Sequence, residues 1–270
     1  MNLNIGERTA VITGGDSGIG LETAKLLIQE GVKIILTDID LDSLEEAKKK
    51  LLETKSSAKV YIKEADLGDN QDVIKLAKFV EKEHGGTDIL VNCAGARGAA
   101  GDFLELSDKD WYDTIDIDLM GAVRICRAFI PQMREKGWGR VVLIASENAF
   151  QPYEDESPYN ACKAGIINLS KCLSRIYGKE GILVNTVSPA YIETPMTDAM
   201  METLSKEKNL SIAKTVEWFL ANKRPHIEVQ RRGRPEEVAA VIAFLCSEKA
   251  SFVNGSNYRV DAGSVASAFG

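Results

Sequence analysis

Apolar positions along the chain fall into two alternating textures. Short β-branched runs, among them "KIILTD", "DILVN", "RVVLIAS" and "ILVNTVSP", are apolar without a polar residue at every second position. Between them lie longer segments whose apolar residues recur at helical spacing. The first kind predicts strands near 8–13, 33–38, 58–64, 88–91, 139–145, 182–187 and 257–260. The second predicts helices near 18–30, 41–54, 69–84, 108–135, 157–180 and 235–247, with further helix somewhere in 196–222. A strand with no alternation is buried on both faces, as in a parallel sheet covered by helices on each side. The rhythm continues almost to the end of the chain, and "EG" (30–31) and "KEG" (179–181) close helices straight into strands with no linker between. One α/β domain over 1–270, a doubly wound parallel sheet, is the expected architecture.

The stretch "TGGDSGIG", Thr13 to Gly20, stands between the first strand and the first helix and holds four glycines. Glycine in a regular element costs about 0.5–1 kcal/mol per position, so either a tight turn or a ligand needing bare backbone is implied. In a parallel sheet the crevice beyond the strand ends lets backbone N–H groups approach a pyrophosphate beside a helix N-terminus. The spacing of Gly14, Gly18 and Gly20 is G-x-x-x-G-x-G. Asp38, ending the second strand, is placed to accept hydrogen bonds from an adenosine ribose diol and to repel a 2′-phosphate. With Asp16 in the loop and no Lys or Arg there, NAD is expected over NADP. Asp38 as N-cap of the following helix is the competing reading, although Asp40 or Asp42 can serve that role.

Charge narrows the partners. With 40 acidic against 33 basic residues, a net charge of −7, nothing basic dominates the surface, which speaks against nucleic acid and anionic membrane. The N-terminus lacks a basic region followed by an apolar core, and no apolar run is long enough for a span, so a cytoplasmic protein is expected. Five cysteines without a C-x-x-C pair and only His84 and His226 suggest neither a disulfide framework nor a metal site.

Tyr159 and Lys163 in "YNACK" lie four apart on one helical face. Tyrosine titrates near 10, and a neighbouring ammonium favours the phenolate. Ser146 ends the strand "RVVLIAS", where its hydroxyl can meet a substrate oxygen in the same crevice. Taken separately, the pair also reads as an exposed helix pair and the serine as a cap.

Together with "TGGDSGIG" and Asp38, the motifs "ADL" (65–67), "NCAG" (92–95), Ser146, "YNACK", "VNTVSPAYIETP" (184–195), "GRPEEVA" (233–239) and "VDAG" (260–263) occur in order over almost the whole chain. In these the chain resembles the short-chain dehydrogenase/reductases. The resemblance implies a single Rossmann-type domain with a seven-stranded parallel sheet, moving a hydride between a nicotinamide cofactor and an alcohol or carbonyl. It implies Tyr159 as general acid/base, Lys163 as its pKa-lowering partner and nicotinamide-ribose ligand, and Ser146 as the residue polarising the carbonyl. The loop residues Gly14, Asp16, Ser17, Gly18, Ile19 and Gly20 would hold the cofactor with Asp38. Asp66 and Leu67 would contact adenine, Asn92, Ala94 and Gly95 border the cofactor, and Pro189, Ile192 and Thr194 meet its nicotinamide end. The family is commonly dimeric or tetrameric, so a homo-oligomer, a homotetramer or a dimer, is expected, with "SVASAFG" (264–270) finishing an interface.

The chain departs from the family at Asp118, where asparagine is usual and helps hold a water linking the lysine to solvent. An ionised Asp118 would raise the tyrosine pKa and keep the lysine charged, altering the pH optimum; a tolerated variant is the alternative. Ala190 and "VDAG" are smaller departures.

The segment of about 195–232 covers the substrate in the family. Here it carries Met196, Met200, Met201, Leu204, Ile212, Val216, Trp218, Phe219 and Leu220, which read either as a lid over an apolar pocket or as side chains that bury an added helix or a subunit contact. Glu147, Glu154, Asp155 and Glu156 would disfavour an anionic substrate if they faced the pocket. Arg97 is a candidate substrate contact. The leading expectation is an NAD-dependent oxidoreductase of a secondary alcohol or ketone. A 3-oxoacyl-thioester reductase, less favoured because Glu180 stands where a basic residue would meet an acidic carrier protein, and a non-catalytic NAD-binding sensor are the alternatives.

Overall fold

The computed structural model describes residues 2–268, so Phe269 and Gly270 of the "SVASAFG" tail lie outside the described residues. The predicted strands form β1 (Thr9–Thr13), β2 (Lys33–Thr37), β3 (Val60–Ile62), β4 (Ile89–Asn92), β5 (Gly139–Ile144), β6 (Ile182–Pro189) and β7 (Asn257–Val260). They make one parallel sheet in the order β3-β2-β1-β4-β5-β6-β7.

β1 is buried at every position because the sheet is packed on both sides. Ala10 and Ile12 face a cluster built with Leu27 and Ile28 of α1 (Gly18–Gln29), Leu44 and Leu51 of α2 (Leu41–Thr54), and a later helix at Pro235–Leu245. Val11 points the other way, into a cluster with Val80 of α3 (Asn70–His84), Phe129 and Ile166. The chain leaves β1 toward β2 on one side and resumes at β4 on the other. That reversal opens a crevice beyond the C-terminal ends of β1 and β4.

Two expected helices differ from prediction. The segment 108–135 is α4 (Asp108–Ile115), a π turn (Asp116–Met120) and α5 (Gly121–Lys136). The wider turn is braced by Arg124, whose Nη1 donates to the carbonyls of Leu67 (3.0 Å) and Asp116 (3.1 Å) and which also pairs with the Asp116 carboxylate. After α6 (Ser157–Tyr177), the segment 196–222 divides into α7 (Pro195–Lys208) and α8 (Ile212–Lys223). Asn209, at φ +53°, ends α7 in the left-handed region, and the Ser211 side chain caps α8. Pro235–Leu245 is α9. No helix among the described residues is long and apolar enough to cross a membrane.

Candidate active site

The crevice is a cavity of about 420 Å³ whose walls come from the ends of β1, β2, β4, β5 and β6. The glycine loop lies along it. A Cβ on Gly20 would stand 2.0 Å from the Gly14 carbonyl oxygen, so the first turn of α1 packs against the loop only as glycine. Ser17 is the N-cap of α1 but makes no side-chain capping hydrogen bond, which leaves N–H groups of that turn for an anion. The Thr13 hydroxyl donates to Asn92 Oδ1 (3.0 Å) and accepts from the Ala94 amide (3.1 Å), clasping β1 to β4 at the loop's base.

Asp38 and Asp16 line one end of the cavity. Burial raises the Asp38 pKa above the usual carboxylate range, and the charge of Asp16 raises it further. The N-cap of α2 is Asp40, which accepts from Asp42 N at 3.0 Å, so Asp38 is not needed for capping. Among the described residues lining the cavity, Lys163 is the only basic one, and it sits with Tyr159.

α6 presents Tyr159 and Lys163 to the cavity, with the ammonium 5.1 Å from the ring centroid. The π turn delivers Asp118 to the same place. Its Oδ1 is 3.1 Å from Lys163 Nζ, both side chains being buried, and it accepts weakly from the Ala96 amide at 3.3 Å. Asp118 Oδ2 is buried without a hydrogen-bond partner. Gly95 makes this approach possible, since a Cβ there would stand 2.9 Å from Asp118 Oδ1 and 3.3 Å from Lys163 Nζ. Burial raises the Tyr159 pKa; Lys163 opposes the rise, Asp118 adds to it, and a hydrogen bond with Ser146 opposes it again. For Lys163, burial disfavours the charge, but Tyr159 and Asp118 outweigh it and the pKa stands above its ordinary value. Cys93 lines the cavity without being a nucleophile, because burial pushes its thiol up to about 12.

Ser146 donates to Asn148 Oδ1 (3.0 Å) and accepts from the Asn148 amide (3.2 Å). Asn148 Nδ2 in turn donates to Glu156 Oε2 (2.7 Å) and Asn160 Oδ1 (2.8 Å). Glu147 and Glu156 are buried and paired with cations, whereas Glu154 and Asp155 are exposed. Arg97 pairs with Glu156 at 3.5 Å. The acidic run therefore does not supply a free negative wall against an anionic substrate.

Ser146, Tyr159, Lys163, Asp118 and the expected cofactor residues all line the cavity except Asn92. The side chain of Asn92 is turned to Thr13, so it supports the loop from beneath, because β4 is buried along its length there. The covering segment mostly packs on itself. Met201, Phe219, Tyr191 and Ile227 form a satellite core with Met200, Leu204, Val216, Trp218 and Leu220 around it, and of the segment's apolar bulk Met196 reaches the cavity. Sequence reading missed Asn148, Asn160 and Arg224 around Ser146. Asn160, adjacent to Tyr159 in "YNACK", was the available signal; Arg224 had none.

A family model described as enoyl-(acyl carrier protein) reductase matches residues 14–264. Levodione reductase of Leifsonia aquatica is 33% identical, covering 95% of this chain and 94% of its own. Cyclohexanol dehydrogenase of Acinetobacter sp. (strain SE19) is 32% identical over 97% and 96%. The crystal structure of L-sorbose reductase from Gluconobacter frateurii, complexed with NADPH and L-sorbose, superposes with a TM-score of 0.93 at 34% identity, covering 99% of this chain and all of that one. With the parallel sheet, the glycine loop and this length of agreement, the chain belongs to the short-chain dehydrogenase/reductase family of oxidoreductases.

Proposed function

We propose that the protein is an NAD(H)-dependent oxidoreductase of secondary alcohols and ketones, with Ser146, Tyr159 and Lys163 as its reacting centre. The carrying observation is that one cavity holds both an uncapped helix N-terminus behind a glycine loop and, on its wall, a tyrosine with a buried ammonium and a serine hydroxyl. The loop fits a dinucleotide: bare backbone, free N–H groups and a carboxylate for a ribose diol lie in that order. When bound, the cofactor supplies the hydride donor or acceptor.

The chain's own residues manage the proton. In oxidation, the Tyr159 oxygen takes the alcohol proton; in reduction it returns one to the carbonyl oxygen. The Lys163 charge stabilises the phenolate form, and Asp118 keeps that lysine protonated while working against the phenolate. The Ser146 proton rotates from Asn148 Oδ1 to the substrate oxygen and polarises it. Ala94, Gly95, Pro189, Ile192 and Thr194 would hold the nicotinamide part of the cofactor, and Asp66 and Leu67 its adenosine.

NAD over NADP rests on Asp16 and Asp38. A 2′-phosphate beside two carboxylates with no Lys or Arg to meet it is repelled, although the L-sorbose reductase structure contains NADPH. The substrate class is favoured by the levodione and cyclohexanol enzymes. The family-model description favours a second reading, reduction of acyl-carrier-protein thioesters. Against it, Glu180 holds Arg134 at 2.6 Å, occupying a cation near the end of α6. A homo-oligomer is also proposed, since the large apolar side chains of Phe103, Leu104 and Tyr112 are exposed on and before α4. Light scattering that finds a monomer at all concentrations removes that part.

The decisive measurement is titration with NAD(H) and NADP(H), followed by turnover of secondary alcohols, ketones and an acetoacetyl thioester, with Tyr159→Phe as blank. Turnover of alcohols or ketones lost in the blank supports the reading. Tight cofactor binding with no turnover favours a sensor, and thioester turnover alone favours the second reading.

A further inference from the structure

Arg224 ends α8, yet its guanidinium is turned inward, with 11% of the side chain exposed. It lies 3.3 Å from the Tyr153 ring centroid, 3.7 Å from Glu147 Oε1 and 3.6 Å from Glu156 Oε2. All three partners belong to the loop joining Ser146 to α6. Glu147 follows Ser146 directly, and Glu156 immediately precedes the helix that carries Tyr159. The Tyr153 hydroxyl donates to Glu147 Oε1 at 3.0 Å, and its carbonyl accepts from Asn160 Nδ2 at 2.8 Å. Inward from Glu156, hydrogen bonds run through Asn148 to the Ser146 hydroxyl.

Two carboxylates buried this close repel each other unless a cation stands between them. Burial raises the Glu147 pKa, and Arg224 opposes the rise. Arg97 reaches only Glu156, from a side chain that is 44% exposed. Among the described residues, the cation paired with both is Arg224, and it arrives from the covering segment rather than from the catalytic loop.

We propose that Arg224 is a positioning residue: by bridging Glu147 and Glu156 it makes the placement of the Ser146 hydroxyl, through Asn148, depend on α8 being seated. This rests on the reading that Ser146 serves the substrate oxygen. A substrate that holds the covering segment down thereby also holds the serine in place.

Arg224→Met keeps the aliphatic stem and removes the charge. It is expected to lower kcat about 100-fold, the scale of a misplacement transmitted from outside the reacting atoms, with the NADH Kd unchanged. In a Ser146→Ala background the same substitution should lower kcat by less than about threefold, because the group it acts through is gone. Arg224→Lys, retaining charge without the planar fork, should recover part of the activity. An equal loss in both backgrounds, as general destabilisation would give, overturns the proposal, and so does an unchanged kcat in the parent. If the parent chain turns over no alcohol, ketone or thioester, it is the reaction reading that fails. The link is then read from the Asn148 side-chain amide signals in an NMR spectrum, assigned through Asn148→Ser. They should shift in Arg224→Met while the backbone signals of the glycine loop stay; unmoved Asn148 signals overturn the link.

Discussion

The two ends of the sheet treat charge in opposite ways. At the N-terminal ends of β1, β4 and β5, Asp88 accepts from the Thr9 amide at 2.9 Å and pairs with Arg8 (3.6 Å) and Lys136 (3.2 Å). Arg8 and Arg140 stack on Trp138 at 3.8 and 4.3 Å, and Glu248 meets Arg8, Arg140 and the indole N–H together. Each charge there has an opposite partner. At the C-terminal ends, Asp118 Oδ2 and Glu147 Oε2 are buried without hydrogen bonds, Asp16 raises the pKa of Asp38, and α1 begins uncapped. The charges named at the first end are paired within the protein, whereas at the cavity end Asp118 Oδ2 and the first turn of α1 are left without a side-chain partner. Local inconsistency of this kind gathers at functional sites.

Substitutions at the two ends should separate activity from stability. The largest effect belongs to Tyr159→Phe, expected to lower kcat about 1000-fold, within the range of general acid/base catalysis, while isothermal titration finds cofactor affinity unchanged. A Phe variant that keeps its rate moves the proton chemistry to another group. At the opposite end, Arg140→Met should cost about 1–3 kcal/mol in urea unfolding, a buried pair discounted because Glu248 is partly exposed, with kcat and KM of the folded fraction unchanged. If kcat fell instead, the two ends would be coupled.

Asp38→Asn should reduce the preference for NAD over NADP about tenfold, read as the ratio of kcat/KM values, by removing one of two like charges. The same variant should stabilise the ligand-free protein at neutral pH. Burial and the neighbouring charge of Asp16 hold the folded-state pKa of Asp38 above its ordinary value of 3.8, so the folded protein holds that proton more tightly than the unfolded chain. The ionised form therefore disfavours folding above the folded pKa, a penalty that fades as pH falls toward 3.8. Equal melting temperatures for both variants near neutrality would speak against this.

The smallest change is expected of Asp118→Asn, a shift of the pH–rate profile without loss of the maximum. Burial first, then Asp118 among the charges, holds the Tyr159 pKa up; removing the charge should move the alkaline-rising limb of alcohol oxidation to lower pH. An unmoved limb would make Asp118 a tolerated variant only.

Features set by short-range pattern were readable in the chain. The buried strands, the glycine loop and the Tyr159/Lys163 spacing each depend on neighbours within a few positions. The expected 108–135 helix illustrates the limit. Nothing in "WYDTIDIDLMG" marks the π turn, because its bracing contact, Arg124 on the Leu67 carbonyl, spans 57 residues. The motif points to Asn92 as a cofactor neighbour, but it does not foretell that its carboxamide oxygen accepts from the Thr13 hydroxyl across the sheet. The apolar bulk of 196–222 left a pocket and an added core equally open, and packing of Met201 and Phe219 around Tyr191 accounts for most of it.

The sequence by itself determined that this chain builds a parallel sheet with a dinucleotide-type loop at the end of β1, since periodicity and glycine placement are local properties of a polymer. Only the tertiary structure decided which charges are satisfied. Asp118 meets Lys163 across 45 positions, and Arg224 reaches Glu147 and Glu156 across 77 and 68. Pairing of that kind depends on how helices from distant parts of the chain pack over one crevice, which no run of adjacent residues encodes.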